Sequence, residues 1–194
     1  SMTFKQACRP MTVEEIHSTV QDFADAALRV KQAGMDGVEI NAAHGYLLNE
    51  FLSPYTNKRE DEYGRDMIGR CRIVREIIEA VREKVGPQFP IILRMTVAEY
   101  LITAGIKEQG LNLPDSIAIL NYLIPFGVDA VSVSSGIDDT QNCAWEPISY
   151  PQGWRSYLTE TVKQNVPVPV IGVSVIREAR YAESLLKRGA VDFV

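Results

Sequence analysis

The sequence is short of several things, and each shortage narrows what it can be. Only three cysteines occur among 194 residues, Cys8, Cys71 and Cys143. They are odd in number and far apart, which excludes a disulfide framework and a CxxC metal site. We expect ordinary reduced thiols and no bound metal. No stretch approaches the roughly 18 to 20 uncharged apolar residues of a membrane helix. The start, Ser1-Met2-Thr3-Phe4-Lys5, lacks the apolar core of a secretory signal. A cytoplasmic protein without a membrane partner is expected. Basic residues are also in deficit, 20 Lys and Arg against 25 Asp and Glu, a net charge of -5. A nucleic-acid binder needs the opposite balance to neutralise phosphates, so small-molecule partners are expected instead. There is no low-complexity tract, short repeat or second domain. Ser1-Met2 has the look of a cloning remnant, and residues 1–10 read as a leading or linking segment before a single unit over residues 11–194.

What is present is a regular alternation. Thr12-Val13-Glu14-Glu15 carries a capping box, with Thr12 and Glu15 as its members, and opens an apolar stripe of Ile16, Val20, Phe23, Ala27 and Val30 at helical spacing. Gly34 stops that helix. A short buried strand follows over residues 36–41, then a long polar stretch over 42–66, of a length that is usually functional. The spacing predicts helices over 68–85, 115–124, 153–164 and 177–187, and strands over 90–97, 129–135 and 166–173. A further strand begins at Val191. Strands alternating with helices, apolar on both faces, indicate βαβ units and a parallel sheet. A doubly wound sheet could be complete with these elements, whereas a (β/α)8 barrel needs about 250 residues. Pattern alone leaves both open.

The most specific segment is Asp36-Gly37-Val38-Glu39-Ile40-Asn41-Ala42-Ala43-His44-Gly45-Tyr46-Leu47-Leu48-Asn49-Glu50-Phe51-Leu52-Ser53-Pro54, followed by Asn57-Lys58-Arg59-Glu60-Asp61-Glu62-Tyr63-Gly64. It resembles the old yellow enzyme family, and within it the NADH:flavin oxidoreductase and 2,4-dienoyl-CoA reductase-like members, from about Met11 to Val194. The resemblance implies an α/β fold, an incomplete (β/α)8 TIM barrel of about four βα units plus a strand stub. It also implies that the parent protein is an FMN-dependent enzyme that takes hydride from NAD(P)H and reduces activated C=C bonds of enone- or enoyl-type substrates, present here as a partial domain that is expected to be inactive alone.

By the same resemblance, Asn41 and His44 hold the substrate's carbonyl oxygen, where donors stabilise an enolate-like charge. The family usually has His in the first position, so Asn41 is a departure that bears on substrate preference. Tyr46 matches the proton donor; a phenol stays protonated at neutral pH and can protonate a carbanion. Arg94 matches the arginine beside the flavin, a fixed cation for the anionic reduced ring. An ion pair between Glu39 and Arg94 is the structural alternative. Gly172, Val173 and Ser174 match one side of the FMN phosphate site, although a glycine after a strand is equally a plain turn. Arg59, Asp61, Glu62 and Tyr63 are expected to fix the long loop, and His17 to be structural. Gly64-Arg65-Asp66 stands where the family often has Gly-Gly-Ser. Trp145 and Trp154 are expected mainly as packing residues.

The resemblance also implies missing parts. The first three barrel strands have no counterpart before Met11, and the chain stops before the usual Gly-Arg phosphate contact and before any iron-sulfur cysteines. A second expectation therefore stands beside the first: a non-catalytic half-barrel module that self-associates as a homo-oligomer and does not retain flavin.

Overall fold

A computed structural model of the chain describes residues 9–194. Cys8 and nearly all of the expected leading segment lie outside them. Four strands, β1 (Val38–Ala42), β2 (Ile91–Thr96), β3 (Ala130–Ser134) and β4 (Val170–Gly172), form one parallel sheet in the order β1-β2-β3-β4. Each strand lies beside the next in sequence, with no reversal of the kind that defines a doubly wound sheet. The sequential order settles what the pattern left open: the sheet is an arc of a singly wound barrel.

Helix α1 (Val13–Gln32) begins as its capping box predicts, with Thr12 Oγ1 accepting from the Glu15 amide at 3.2 Å and the Glu15 carboxylate from the Thr12 amide at 2.8 Å. Two donors that a bare helix start would orphan are thereby satisfied. It packs on α3 (Met67–Val85), whose buried stripe of Cys71, Val74, Ile78, Val81 and Val85 follows helical spacing. Asp66 caps α3 by accepting from the Gly69 amide at 2.8 Å. Helices α4 (Leu113–Leu123) and α6 (Ser156–Asn165) complete the layer that joins the main core. Ile40, Ala42, Leu93, Met95, Val131, Val133 and Val170 face these helices and are buried. The alternate residues Glu39, Asn41, Ile92, Arg94 and Ile171 face the other way and stay at least partly exposed.

Three elements differ from the sequence reading. The long stretch after β1 contains a helix, α2 (Leu47–Leu52), too short to show a period. A short helix, α5 (Gln141–Ala144), likewise interrupts the segment after β3. The fourth strand shrinks from eight expected residues to three because Pro167 and Pro169 cannot donate to a ladder; Pro169 still accepts from the Val131 amide at 2.9 Å. Helix α7 (Ala179–Lys187) then leads to Phe193, which pairs with Ile171 in a parallel bridge at the expected start of a fifth strand.

Candidate active site

The carboxyl ends of β1, β2 and β3 bring the expected substrate residues together, as the geometry of βα barrels favours. Asn41 is in register with Arg94, and Arg94 with Ser132, so the three share a row on the open face of the sheet. One step on, Thr96 and Ser134 are in register, and both hold His44. Thr96 Oγ1 accepts from the His44 amide at 2.9 Å, and Ser134 Oγ lies 2.6 Å from Nε2 of the ring. With Nε2 engaged, Nδ1 is the ring nitrogen left to a ligand. Burial first, then the nearby Arg94 and Arg155 guanidinium groups, lower the His44 pKa to about 4. At neutral pH the ring is an uncharged donor or acceptor.

Asn41 is exposed, and its Oδ1 accepts from the Ala43 amide at 3.2 Å. That bond orients the side chain so that Nδ2, which can only donate, is the unused end. Tyr46 begins α2 with 53% exposure, its ring edge-on to His44 with centroids 6.5 Å apart. Its hydroxyl makes no hydrogen bond among the described residues. Between them, Gly45 at φ 79° completes a tight turn with His44, itself at φ 62°. Strain of this kind at a non-glycine residue is typical of positions where a side chain must be aimed.

Arg94 lies 3.6 Å from Glu39, so the expected alternative of an ion pair is present. The pair is partly exposed and loose, and Arg94 Nε is buried without a hydrogen-bond partner among the described residues. Gly172 faces the helices. A Cβ there would approach Val191 to 2.6 Å, and its amide already donates to Phe193 at 2.9 Å. Packing alone therefore accounts for this glycine. Ser174 is buried, with Oγ accepting from the Arg155 amide at 3.1 Å. Val173 is half-buried beside it. Helix α7 does not start until Ala179, so this strand end does not run directly into a helix N-terminus.

Of the remaining motif residues, Arg59, Asp61 and Tyr63 are engaged within the fold. Arg59 clasps Asp61 at 2.5 Å and donates to the Met11 carbonyl at 2.7 Å. Tyr63 is 1% exposed, donates to Glu76 at 2.9 Å and takes the edge of His17. Trp154 packs against Tyr100 and Tyr150, whereas Trp145 is half-exposed with its ring centroid 6.2 Å from His44. Cys71 is fully buried, and burial raises its thiol pKa to about 12; it is not a reactive group.

Sequence reasoning missed Thr96 and Ser134, although polar residues closing apolar strands are a usable signal. It also missed Arg155, 4% exposed, whose Nη1 donates to Ser135 Oγ and to the Cys143 carbonyl at 3.0 Å. Glu146 lies 2.7 Å from its Nε but out of line for a hydrogen bond. Nothing in its sequence surroundings marks it out.

The chain is 41% identical over 186 residues to an NADH oxidase of Thermoanaerobacter brockii, covering 96% of this chain and 28% of that protein. It is 37% identical to an NADPH dehydrogenase of Bacillus licheniformis, covering 95% and 50% respectively. Among solved structures, 2-naphthoyl-CoA reductase in complex with 2-naphthoyl-CoA superposes with a TM-score of 0.88 at 28% identity, over 96% of this chain and 27% of that one. Morphinone reductase with tetrahydroNAD gives 0.70 at 27% identity, over 97% and 47%. The chain thus spans from about a quarter to about a half of these relatives' length. The family model of the NADH:flavin oxidoreductase / NADH oxidase family matches residues 2–194, and the chain belongs to that family.

Proposed function

We propose that this chain carries the substrate-side chemistry of an FMN-dependent, NAD(P)H-consuming reductase of activated C=C bonds in enone- or enoyl-type substrates. The observation that carries the reading is the hydrogen-bonding capacity left unspent among the described residues at one strand end, Asn41 Nδ2, His44 Nδ1 and the Tyr46 hydroxyl, on a turn whose backbone amides are all engaged. The relatives named as a 2-naphthoyl-CoA reductase, a morphinone reductase and an NADPH dehydrogenase support it.

The residues present fit a flavin. The buried, unpartnered Nε of Arg94 calls for an acceptor on the open face, and Glu39 is too loosely placed to be one. Arg94 would hold the ring edge, and Val173 and Ser174, rather than Gly172, would offer backbone N–H groups to the phosphate. When bound, FMN passes hydride from NAD(P)H to the substrate β-carbon. Asn41 and neutral His44 donate to the carbonyl oxygen, stabilising the charge that develops there. Tyr46 gives its proton to the α-carbon and, being exposed, regains one from solvent.

The test is the visible spectrum of the purified chain with added FMN, alongside its mass by light scattering. A bound-flavin spectrum bleached by NADH or NADPH and restored by 2-cyclohexen-1-one would make the chain a working reductase in its own right, and failure to retain FMN would assign that activity to the intact parent protein. A chain that retains no FMN but runs as an oligomer would instead establish the self-associating module, a reading favoured only by the partly exposed open face of the sheet.

A further inference from the structure

Glu99 is 1% exposed, three residues past the end of β2, and the chemistry proposed above does not use it. No cation pairs with it among the described residues. Its carboxylate is satisfied by three donors: Asn49 Nδ2 at 2.9 Å to Oε1, and Ser53 Oγ at 2.8 Å and the Leu111 amide at 2.9 Å to Oε2. Burial raises its pKa above the usual carboxylate value, and the three hydrogen bonds offset only part of that rise. A buried charge without a cation survives only when it is donated to in this way. Gly110 leaves the room it needs, since a Cβ there would run into Oε2.

The consequence lies one bond further on. A carboxylate can only accept, so Asn49 must turn its Nδ2 toward Glu99, and its Oδ1 is thereby committed to the opposite side. There Oδ1 accepts from the Gly45 amide at 3.0 Å. Gly45 stands between His44 and Tyr46, the two residues whose placement decides the reaction. The same carboxylate ties down Ser53, the residue closing α2, so it holds the helix that Tyr46 begins near both of its ends.

We propose that Glu99 is a positioning residue that sets the His44-Gly45-Tyr46 turn through Asn49. It touches no reacting atom itself. What the turn does rests on the function proposed above, whereas the link from Glu99 to the turn does not.

The polarity of the link provides a specific test. In Glu99→Gln the one remaining oxygen keeps the side with two donors, Ser53 and Leu111, so the new amide turns its NH2 toward Asn49. Asn49 can meet a donor only by turning its own oxygen away from Gly45. In the double variant Asn49→Asp with Glu99→Gln, the new amide donates to Asp and its oxygen accepts from Ser53 and Leu111. The second Asp oxygen takes the Gly45 amide again, and the buried negative charge is kept.

Amide hydrogen exchange by NMR on the chain reads the turn without any flavin. Gly45 should exchange at least tenfold faster in Glu99→Gln, with Leu93 and Val131 unchanged, and should return to the parent rate in the double variant. An unchanged Gly45 in Glu99→Gln, or a uniform acceleration of all three amides, would overturn the proposal. If the single variant does not fold, the double variant decides alone: restored Gly45 protection supports the link and its loss removes it. In flavin-loaded protein, reoxidation by 2-cyclohexen-1-one should slow at least tenfold in the single variant and recover in the double, with reduction by NADH unaffected. A chain that takes up no flavin leaves the reduction to the intact parent protein, and the exchange result still decides the link.

Discussion

After β1 the chain makes two tight turns, at His44-Gly45 and at Gly64-Arg65, and each holds a non-glycine residue in the left-handed region, His44 at φ 62° and Arg65 at φ 64°. Both belong to one contiguous motif, and both are rich in polar side chains. They differ in where the polar atoms go. Around the second turn the groups are spent on the fold: Arg59 on Asp61 and the Met11 carbonyl, Tyr63 on Glu76, and Asn57 Nδ2 on the Phe51 and Tyr63 carbonyls at 2.7 and 2.8 Å. Around the first, Thr96 and Asn49 tie the His44 and Gly45 amides while Asn41 Nδ2, His44 Nδ1 and the Tyr46 hydroxyl stay unspent among the described residues. A fixed backbone with unspent side chains describes a site; a fixed backbone with spent side chains describes a clasp.

The largest break between the two should come from removing one oxygen. Tyr46→Phe is expected to slow enone-driven reoxidation of bound flavin by about 10² to 10⁴, the usual reach of a positioned general acid. The melting temperature should not move, because the hydroxyl supports nothing. Stopped-flow reoxidation beside a thermal melt checks both halves, and a variant that loses stability instead would make the first turn a clasp as well.

The second turn should respond in the opposite sense. A Cβ on Gly64 would collide with the Arg59 carbonyl, a backbone atom that cannot swing aside. Gly64→Ala is expected to cost about 3 kcal/mol of stability, measured by urea unfolding, while whatever folded protein remains binds ligands as before.

How far these differences were legible in the sequence depends on the range over which each is encoded. The capping box of α1, the apolar strands and the clasp residues Arg59 to Tyr63 are local, and periodicity or motif resemblance found them. Asn41, His44 and Tyr46 were legible only through the resemblance, since no spacing rule distinguishes a spent side chain from an unspent one. Thr96 and Ser134 come from later strands and meet the first turn through the parallel register, and Glu99 reaches it through Asn49, contacts that no local pattern encodes. Gly172 shows how range limits the reading: beside its own strand it suggests a phosphate turn or a plain turn, while Val191 and Thr159, distant in the chain, supply a packing reason for a residue without a side chain.

A smaller effect separates the turns by pH. His44 has its folded pKa lowered from 6.5 to about 4, so between those values the unfolded chain holds a proton that the folded one does not. Its contribution to stability is fully present above about pH 6.5 and is lost as pH falls toward 4. Since the ring is only partly buried, solvent screening reduces the loss to about 1 to 2 kcal/mol. Glu50 and Glu99, whose pKa values are raised, act in the opposite sense over the same range, losing their contribution as pH rises. The informative quantity is therefore the difference between the parent and His44→Gln in urea unfolding at pH 7 and pH 4.5. The variant should lack the His44 component, and identical profiles would mean that the ring is not held neutral.

The smallest effect tests the left-handed residue of the clasp. Arg65 occupies φ 64°, where a side chain costs about 1 kcal/mol relative to glycine, partly offset by the entropy glycine loses on folding. Its guanidinium returns one exposed hydrogen bond to the Glu60 carbonyl, which contributes little at the surface. Arg65→Gly should therefore raise stability by about 0.5 kcal/mol, seen as a small upward shift of the urea midpoint with an unchanged slope. His44 carries the same backbone strain and cannot be relieved the same way, because its ring is the reason the turn exists. A Gly at position 44 that kept enone reduction intact would show that the two turns are alike after all.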